Sequence, residues 1–423
     1  EPQAGSDVGA VTTKAEPDAE ASATWGAGAY RITGQKIFIT WGEQDFTENI
    51  VHLVLARTPG SPPGTKGISM FLVPKFLVNP DGSLGERNSA YCVSIEHKLG
   101  IHGSPTCVMS YEGAIGWLVG GEHEGMRNMF TMMNNARLSV GLEGLSISVR
   151  AFQQALAYAQ ERLQGRAPGA PAGTSSPIIE HPDVRRMLMV QRAWIDGLRA
   201  LVYTNAAALD RADAARDAGD TDEGRRWQEL ADLLIPLSKG LATDVCNELT
   251  SLAVQIHGGM GYVEETGVAQ HYRDARITAI YEGTNGIQAA DLVGRKLGMR
   301  GGGVVLDLLG EFDGRAKELT AVDGLQRFGE QLAAAVGWAR DATLHLAGQA
   351  DDPRAVLAAS SPYLRLLGTV VCAGLLAKQA LAATTLGRTD KVVTARYFGE
   401  QILPTVQGLL PTITAGPDLL YAI

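Results

Sequence analysis

The chain has 423 residues, of which 45% are hydrophobic and 20% are charged, and its formal net charge at pH 7 is -9. This composition is that of an ordinary globular protein, and the length predicts two or three domains. The acidic balance argues against a general nucleic-acid or anionic-membrane surface, because either would need an excess of Lys and Arg. The longest apolar run, between Arg365 and Lys378, is shorter than a membrane span.

Cysteine and histidine show no spacing typical of a metal site, and no metal is predicted. The cysteines are scattered without a C-x-x-C pair, which favours reduced thiols over disulfides. The N-terminus opens on Glu1-Pro2, without a Met, a basic segment or an apolar segment. We therefore expect no signal peptide, a cytoplasmic protein, and a chain that is a fragment. The residues concerned are Cys92, Cys107, Cys246, Cys372, His97, His102 and His123.

Residues 1 to about 120 are predicted to be β structure. Four short segments are rich in Val, Ile, Phe and Tyr, namely 29–40, 50–57, 67–73 and 91–97. Turn-forming stretches separate them, such as 58–64 with three prolines and two glycines. Several short strands at this spacing indicate an antiparallel sandwich or barrel.

From about residue 121 the apolar residues recur at three- and four-residue steps, which predicts helices. The first runs to about 163, the second from Pro182 to about 218, and the third from about 222 to 256 with a kink at Pro236. A glycine-rich loop at Gly258 ends the third helix, and a last helix begins near Glu282. Long helices with short connections form a bundle.

A glycine-rich stretch at 298–303 is interpreted as a hinge. Beyond it, 304–347, 354–386 and 392–410 again show helical spacing, which predicts a further helical domain of about 120 residues. The prediction is therefore an α+β multidomain chain with a β domain at 1–120, a helical bundle at 121–299 and an added C-terminal helical domain at 300–423.

The segment from Ile280 to Gln288 is the most informative stretch, because a carboxylate stands directly before Gly-Thr and a helical pattern follows. Gly283 lets other groups approach the backbone, and Thr284 can cap the helix, whose first N–H groups suit an anionic ligand. Glu282 could then act as a base beside bound substrate. A capped helix start with an acidic first turn is the alternative that the segment alone favours.

Four motifs together give a resemblance to the acyl-CoA dehydrogenase family. Arg273-Asp274-Ala275-Arg276-Ile277 precedes Tyr281-Glu282-Gly283-Thr284 at the family's spacing, and residues 254–262 resemble its Gln-x-x-Gly-Gly-x-Gly loop. Residues 1–7 resemble its flavin-side loop, and 30–40 end in its Phe-Ile-Thr. The resemblance covers residues 1 to about 299. The added C-terminal region is similar to the larger bacterial subgroup that includes 3-methylmercaptopropionyl-CoA dehydrogenases.

The resemblance implies an FAD-dependent α,β-dehydrogenation of an acyl-CoA thioester, as in fatty-acid β-oxidation. Glu282 matches the base that removes the α-proton while a hydride leaves the β-carbon for flavin N5. A second Tyr-Glu-Gly occurs at Tyr111-Glu112-Gly113, but Ala114 replaces the Thr and no helix follows. We therefore expect Glu112 to be a solvent-facing strand residue.

Further residues match positions that bind cofactor or substrate in the family. Phe38, Ile39 and Thr40 would lie beside the isoalloxazine, and Thr284 would contact the flavin, whereas Gly286 stands where many relatives have Gln or Glu. Arg162 and the loop residues Gln255, Gly258 and Gly259 match groups that reach a neighbouring subunit's flavin. The acyl-CoA would contact Ser6, Asn134, Arg137 and Gly283. Four methionines, Met126, Met129, Met132 and Met133, could line the acyl pocket, although core packing is favoured for most.

The resemblance also implies partners and a missing part. Electrons would pass to an electron-transfer flavoprotein, and the cofactor sites would need a homodimer or homotetramer. Relatives carry an N-terminal helical domain before the first motif, so this chain alone is expected to bind FAD poorly. The acyl group is left open between a short or medium chain and 3-methylmercaptopropionyl. The alternatives are an acyl-CoA oxidase and a non-metabolic relative that binds nucleic acid.

Overall fold

A computed structural model describes residues 1–422 of the chain. These residues form two compact units, one of residues 1–135 and one that begins at Ala136. The boundary between the units falls inside a long helix, Gly125–Glu161.

The first unit is an antiparallel β domain, as predicted. Its six-stranded sheet has the order β1-β2-β8-β4-β3, with β7 also paired to β8, and β5 and β6 form a separate two-stranded sheet. The elements are β1 (Lys14–Pro17), α1 (Ala19–Trp25), β2 (Ala29–Thr40), β3 (Val51–Ala56), β4 (Ser69–Pro74), β5 (Phe76–Val78), β6 (Leu84–Arg87), β7 (Ala90–Ile95) and β8 (Thr106–Leu118). The four predicted strands correspond to β2, β3, β4 and β7.

The core of this unit comes from residues that alternate along the strands, since neighbouring side chains of a strand point to opposite faces. Ile32, Val54, Phe71 and Met109 are buried together in it. The pairing of β2 with β8 shifts register between Lys36 and Ile39. Such a bulge redirects the side chains beside it, here at the end of β2 where the family resemblance places the flavin.

The second unit is helical. It continues α2 (Gly125–Glu161) and contains α3 (Pro182–Asp217), α4 (Thr221–His257), α5 (Val268–Thr278), α6 (Asn285–Asp291), α7 (Gly303–Thr320), α8 (Gln326–Ala347), α9 (Pro353–Ala358), α10 (Ser360–Thr385), α11 (Thr389–Tyr397) and α12 (Leu409–Thr414). Helix α3 begins on Pro182 as predicted, and the Asp220 side chain caps α4 by accepting from the Glu223 N–H. Helix α4 is continuous through Pro236.

Several boundaries differ from the sequence prediction. Helix α5 was not predicted, the predicted helix at 304–347 is divided by a turn into α7 and α8, and α6 begins at Asn285 rather than near Glu282. In the glycine-rich stretch, Arg300 and Gly301 both have a left-handed backbone (φ 47° and 64°). A turn therefore separates α7 from the residues before 299. The largest difference is the eleven-residue helix α5, whereas the others concern where a helix begins or is interrupted.

A large hydrophobic core runs through the second unit, from Leu145 on α2 to Ile413 on α12, and a smaller one lies among α2, α3, α4 and α5. Helix α10 lies within the large core, in contact with α3, α4, α7 and α8. By length and composition α10 could cross a membrane, but most of its apolar stretch is buried inside the protein. It therefore serves as the central core helix of this unit. The core continues across residue 300, and the proposed boundary between bundle and C-terminal domain stays a prediction.

Candidate active site

Glu282 lies in the turn between α5 and α6, and its backbone is left-handed with φ 53°. Gly283 follows with φ 82°. A left-handed conformation is costly for a residue with a Cβ and persists only where the surroundings impose it. Two hydrogen bonds close the turn, from the Tyr281 N–H to the Ile277 carbonyl at 3.1 Å and from the Asn285 N–H to the Ala279 carbonyl at 3.1 Å. The turn thus presents a half-exposed carboxylate in a fixed, strained conformation.

The positions that follow Glu282 tolerate few other amino acids. A Cβ on Gly283 would lie 2.9 Å from the Gln288 side-chain nitrogen, besides the strain of its positive φ. Gln288 is buried and donates to the carbonyls of Glu282 and Gly283 at 3.4 and 3.3 Å. The Thr284 hydroxyl caps α6 by accepting from the Ile287 N–H at 3.3 Å. The capping role of Thr284 and the need for glycine at 283 agree with the sequence prediction.

A buried lysine supports this turn from α4. The Lys239 ammonium donates to the Gly283 carbonyl at 2.8 Å and to the Asn285 side-chain oxygen at 2.9 Å. Burial lowers the pKa of Lys239 to about 8. Sequence reasoning missed this residue, although a cation between apolar residues of a core helix was a visible signal.

Arg137 lies beside the same turn. Its Nη1 is 3.5 Å from Asp291 on α6, and its Nη2 would be 3.7 Å from a Cβ on Gly283. Burial lowers the pKa of the Arg137 guanidinium, and Glu282 interacts electrostatically with it. The Arg137 Nε is buried and has no hydrogen-bond partner among the described residues. The structure thus brings together Glu282, Gly283 and Arg137, three residues that the sequence prediction placed at the substrate.

Tyr281, the residue before the predicted base, is held by a second, half-buried carboxylate. Its hydroxyl donates to the Glu143 carboxylate on α2 in a short contact. Burial and this neighbouring carboxylate raise the pKa of Tyr281 well above its usual range. The contact links α2 to the turn, and neither partner was singled out from the sequence.

A cavity of about 650 Å³ lies beside the turn and is lined by residues of α4, α5 and the start of α6. Thr284 and Gly286, both predicted to contact the flavin, line it. It is of a size that small-molecule cofactors occupy. Its other polar walls include Asn247, whose buried Oδ1 has no partner among the described residues, and Arg276. Two carboxylates, Asp244 and Glu248, line it as well. This mixture of acceptors, hydroxyls and one cation fits the hydroxyl groups of a dinucleotide better than its phosphates.

Arg162, Gln255, Gly258 and Gly259 lie elsewhere in the same unit. Arg162 directly follows α2, and Gln255 lies near the end of α4. These two helix ends are in contact, because the Tyr158 ring stacks on the His257 ring with 4.3 Å between the ring centroids. Gln255 is sixteen positions beyond Lys239 on one helix, or about 24 Å at 1.5 Å per residue. The structure therefore groups Arg162 with the glycine loop and places neither beside Glu282.

In the first unit the predicted flavin-side residues stand at the bulged end of β2. Phe38 has φ 59° and is 66% exposed, Thr40 is exposed, and Ile39 packs against the sheet core. Trp41, which sequence reasoning missed, is exposed with φ 57°. Positive φ at Phe38 in the bulge and at Trp41 just after β2 indicates an imposed conformation, which is common where a ligand binds.

The remaining predicted positions are simple to place. Ser6 is exposed in the first turns of the chain, and Asn134 is half-buried on α2 one turn before Arg137. Glu112 is exposed on β8, as expected for a residue with no part in the site. The α2 methionines, Met126, Met129, Met132 and Met133, are half-buried or exposed, so none of them is a fully buried core residue.

Comparison with known proteins gives the same family along the whole chain. Residues 123–297 match the family "Acyl-CoA dehydrogenase, C-terminal domain", and residues 308–423 match "Acetyl-CoA dehydrogenase C-terminal like". The chain is 46% identical to 3-methylmercaptopropionyl-CoA dehydrogenase of Ruegeria pomeroyi, over 100% of this chain and 72% of that protein. It is 35% identical to the broad-specificity linear acyl-CoA dehydrogenase FadE5 of Mycobacterium tuberculosis, over 96% of this chain and 69% of that protein.

The fold is also that of solved acyl-CoA dehydrogenases. The structure of an acyl-CoA dehydrogenase from Bacillus anthracis, complexed with FAD, superposes with a TM-score of 0.72 at 20% identity. The match covers 98% of this chain and 67% of that one. With the sequence matches along the full chain and the Glu-Gly-Thr turn in place, the chain belongs to the acyl-CoA dehydrogenase family.

Proposed function

We propose that this chain carries the catalytic base and much of the cofactor site of an FAD-dependent acyl-CoA dehydrogenase, with Glu282 as the base. The enzyme class and the FAD cofactor follow from membership of the family. The observation that carries the assignment of the base is the backbone of Glu282, a left-handed non-glycine residue whose carboxylate stays accessible. Strain of this kind is typical of residues that a site must hold in one direction.

The chemistry required of Glu282 is removal of the α-proton of an acyl-CoA thioester by a carboxylate oxygen. Bound FAD would accept the hydride that leaves the β-carbon. The cations of Arg137 and Lys239 both interact electrostatically with Glu282. By the family resemblance, the Glu282 N–H faces the thioester oxygen and stabilises the charge that develops there. The rigid turn keeps that donor and the carboxylate at a constant separation.

Three separate sets of residues are proposed to bind FAD. Thr284 and Gly286 line the cavity beside the turn, and Phe38, Ile39 and Thr40 provide an exposed aromatic and hydroxyl surface in the first unit. Arg162 with Gln255, Gly258 and Gly259 forms a separate group about 24 Å along α4 from Lys239. We propose that Arg162 and the loop with Gln255, Gly258 and Gly259 bind the flavin of a neighbouring subunit, in a homodimer or a homotetramer.

The substrate is proposed as a short- or medium-chain acyl-CoA, with 3-methylmercaptopropionyl-CoA first to be tried. The two relatives described above act on different acyl groups by their names, a thioether chain and linear chains. Ser6 and Asn134, with Arg137 and Gly283, are the proposed contacts of the acyl-CoA. Anaerobic bleaching of the flavin by a panel of acyl-CoAs would rank the substrates directly.

We further propose an electron-transfer flavoprotein as the acceptor, a bacterial cytoplasmic location, and a role in acyl-CoA oxidation. We also propose that the domain boundaries lie at about residues 120 and 299. Turnover with oxygen as sole acceptor distinguishes the remaining alternative, an acyl-CoA oxidase. Rapid turnover with oxygen would contradict the dehydrogenase, whereas turnover that depends on added electron-transfer flavoprotein supports it.

The test of the base uses the full-length protein that contains this chain. Glu282→Gln keeps the shape of the side chain and removes its proton acceptor, so the rate of flavin reduction by substrate should fall by several orders of magnitude. Acyl-CoA binding, measured by the shift of the flavin spectrum, should persist. Glu112→Gln is the matched control, since it changes the same Tyr-Glu-Gly sequence at an exposed position of β8. Near-normal reduction in Glu282→Gln would refute the assignment.

A further inference from the structure

We propose that Lys239 is a positioning residue for the base, whose ammonium fixes the Glu282-Gly283 turn from inside the helical unit. This inference rests on the proposed role of Glu282. Lys239 lies on α4, is fully buried, and places Nζ 2.8 Å from the Gly283 carbonyl oxygen. Its second acceptor is the Asn285 side chain at 2.9 Å, on the far side of Thr284. One ammonium therefore contacts the chain immediately after the base and again at the first residue of α6.

Asn285 extends this contact back to α4. Its side-chain nitrogen donates to the Gly240 carbonyl at 3.1 Å, to the Thr243 hydroxyl at 2.9 Å and to the Asp244 carboxylate at 2.6 Å. The turn is thus attached to one rigid helix through two side chains, and attachment to a rigid element is what keeps reacting groups in register. A shift of about 1 Å at a reacting group costs a large factor in rate.

A purely structural role explains the lysine less well. Burial of an ammonium is unfavourable unless it is paired, and no ion pair found among the described residues includes Lys239. Its two acceptors are neutral, and a methionine of similar length would fill the same space without that desolvation. A charge that weakens the core yet contacts the catalytic turn at two points is best explained by what it does for the turn.

The charged neighbours of Lys239 come from each element packed against it. Asp244 on α4 and Glu282 in the turn stabilise its protonated form, and Arg137 on α2 opposes it. From α10, Leu364 packs on the adjacent Gly240. Desolvation is the largest influence and lowers the pKa of Lys239 to about 8. Loss of this proton removes a positive charge from the neighbourhood of Glu282 and weakens both contacts of the turn.

The first test compares Lys239→Met with the wild type in the full-length holoenzyme, with the exposed Lys378→Met on α10 as control. We expect the rate constant of anaerobic flavin reduction to fall about 10- to 100-fold, while the Kd for acyl-CoA changes less than about threefold. The wild-type rate should also decline above pH 8, and this alkaline decline should be absent in Lys239→Met. Wild-type rates of flavin reduction in Lys239→Met would overturn the inference.

The second test needs no flavin. The unfolded chain keeps the lysine proton up to about pH 10.5 and the folded chain only to about pH 8, so the unfolded state binds more protons between these values. The stability of the wild type relative to Lys239→Met should therefore rise with pH across this window. If the difference in free energy of unfolding between the wild type and Lys239→Met does not change with pH, the pKa of Lys239 is not lowered by burial.

A third variant covers the case in which Lys239→Met does not fold. Asn285→Ser breaks the link to Asp244 and leaves the Lys239 contact to the Gly283 carbonyl, and we expect about a 10-fold loss of the reduction rate. An unchanged rate in Asn285→Ser would then overturn the inference. If Glu282→Gln is inactive while Lys239→Met and Asn285→Ser are normal, only this inference fails. If Glu282→Gln retains its rate, the proposed function fails.

Discussion

The two arginines on Asp291 allow a direct comparison of a buried and an exposed ion pair on one carboxylate. Asp291 is 3% exposed, Arg137 is 6% exposed at 3.5 Å from it, and Arg295 is 59% exposed at 2.5 Å. Asp291→Asn keeps the shape and removes the charge, which leaves the Arg137 cation buried without its anion. Breaking a buried pair in this way costs about 3–5 kcal/mol.

Arg295→Gln is the matched control, because it removes the exposed partner and leaves the buried pair intact. An exposed pair of this kind contributes about 0–1 kcal/mol. Unfolding of each variant in guanidinium, followed by far-UV circular dichroism, gives the loss of free energy of unfolding. Equal losses in Asp291→Asn and Arg295→Gln would refute the reasoning, since it depends on the difference in exposure. A loss only in Arg295→Gln would contradict the structure around Arg137.

Two further predictions concern packing and assembly. A Cβ on Gly399 would lie 1.9 Å from the buried Phe328 ring, so Gly399→Ala should lower stability by about 1–3 kcal/mol. Gly337→Ala, in the open on α8, should instead raise it by about 0.5–1 kcal/mol, and thermal melts that show the same sign for both would contradict the packing described. Arg162→Ala should loosen FAD and make its release steeper on dilution, if this arginine binds a neighbour's flavin. Monomers that retain tightly bound flavin in analytical ultracentrifugation would argue against that arrangement.

Long elements were predictable from the sequence because a single apolar period decides them. Helix α3 begins at the predicted Pro182 and α4 ends within a residue of the predicted end, since each buries one apolar face over many turns. Strand β1 and helix α5 were not predicted. Strand β1 has four residues and pairs with β2, and α5 has eleven residues and packs on α4.

The candidate site shows the same division. The Glu-Gly-Thr turn could be identified because it resembles a family motif, whereas the segment alone favoured an ordinary capped helix start. The positive φ of Gly283 and the cap formed by Thr284 explain why these residue types stand there. The residues behind the turn could not be identified in this way. Lys239 is 43 positions before Glu282, and only the packing of α4 against α6 brings the two together. Long-range contacts of this kind leave a single weak sign in a sequence, a charge where an apolar residue is expected.

The continuous core of the second unit has a consequence for the history of this chain. Helix α10 is covered on several sides by α3, α4, α7 and α8, so the faces of α3 and α4 that it meets are apolar. An ancestor that lacked the C-terminal helices would have exposed those faces to water, which favours aggregation. In this chain the apolar residues of α3 and α4 beneath α10 therefore depend on the C-terminal helices to keep them from water. A nonsense mutation near residue 300 would by the same reasoning yield an insoluble product rather than a smaller dehydrogenase.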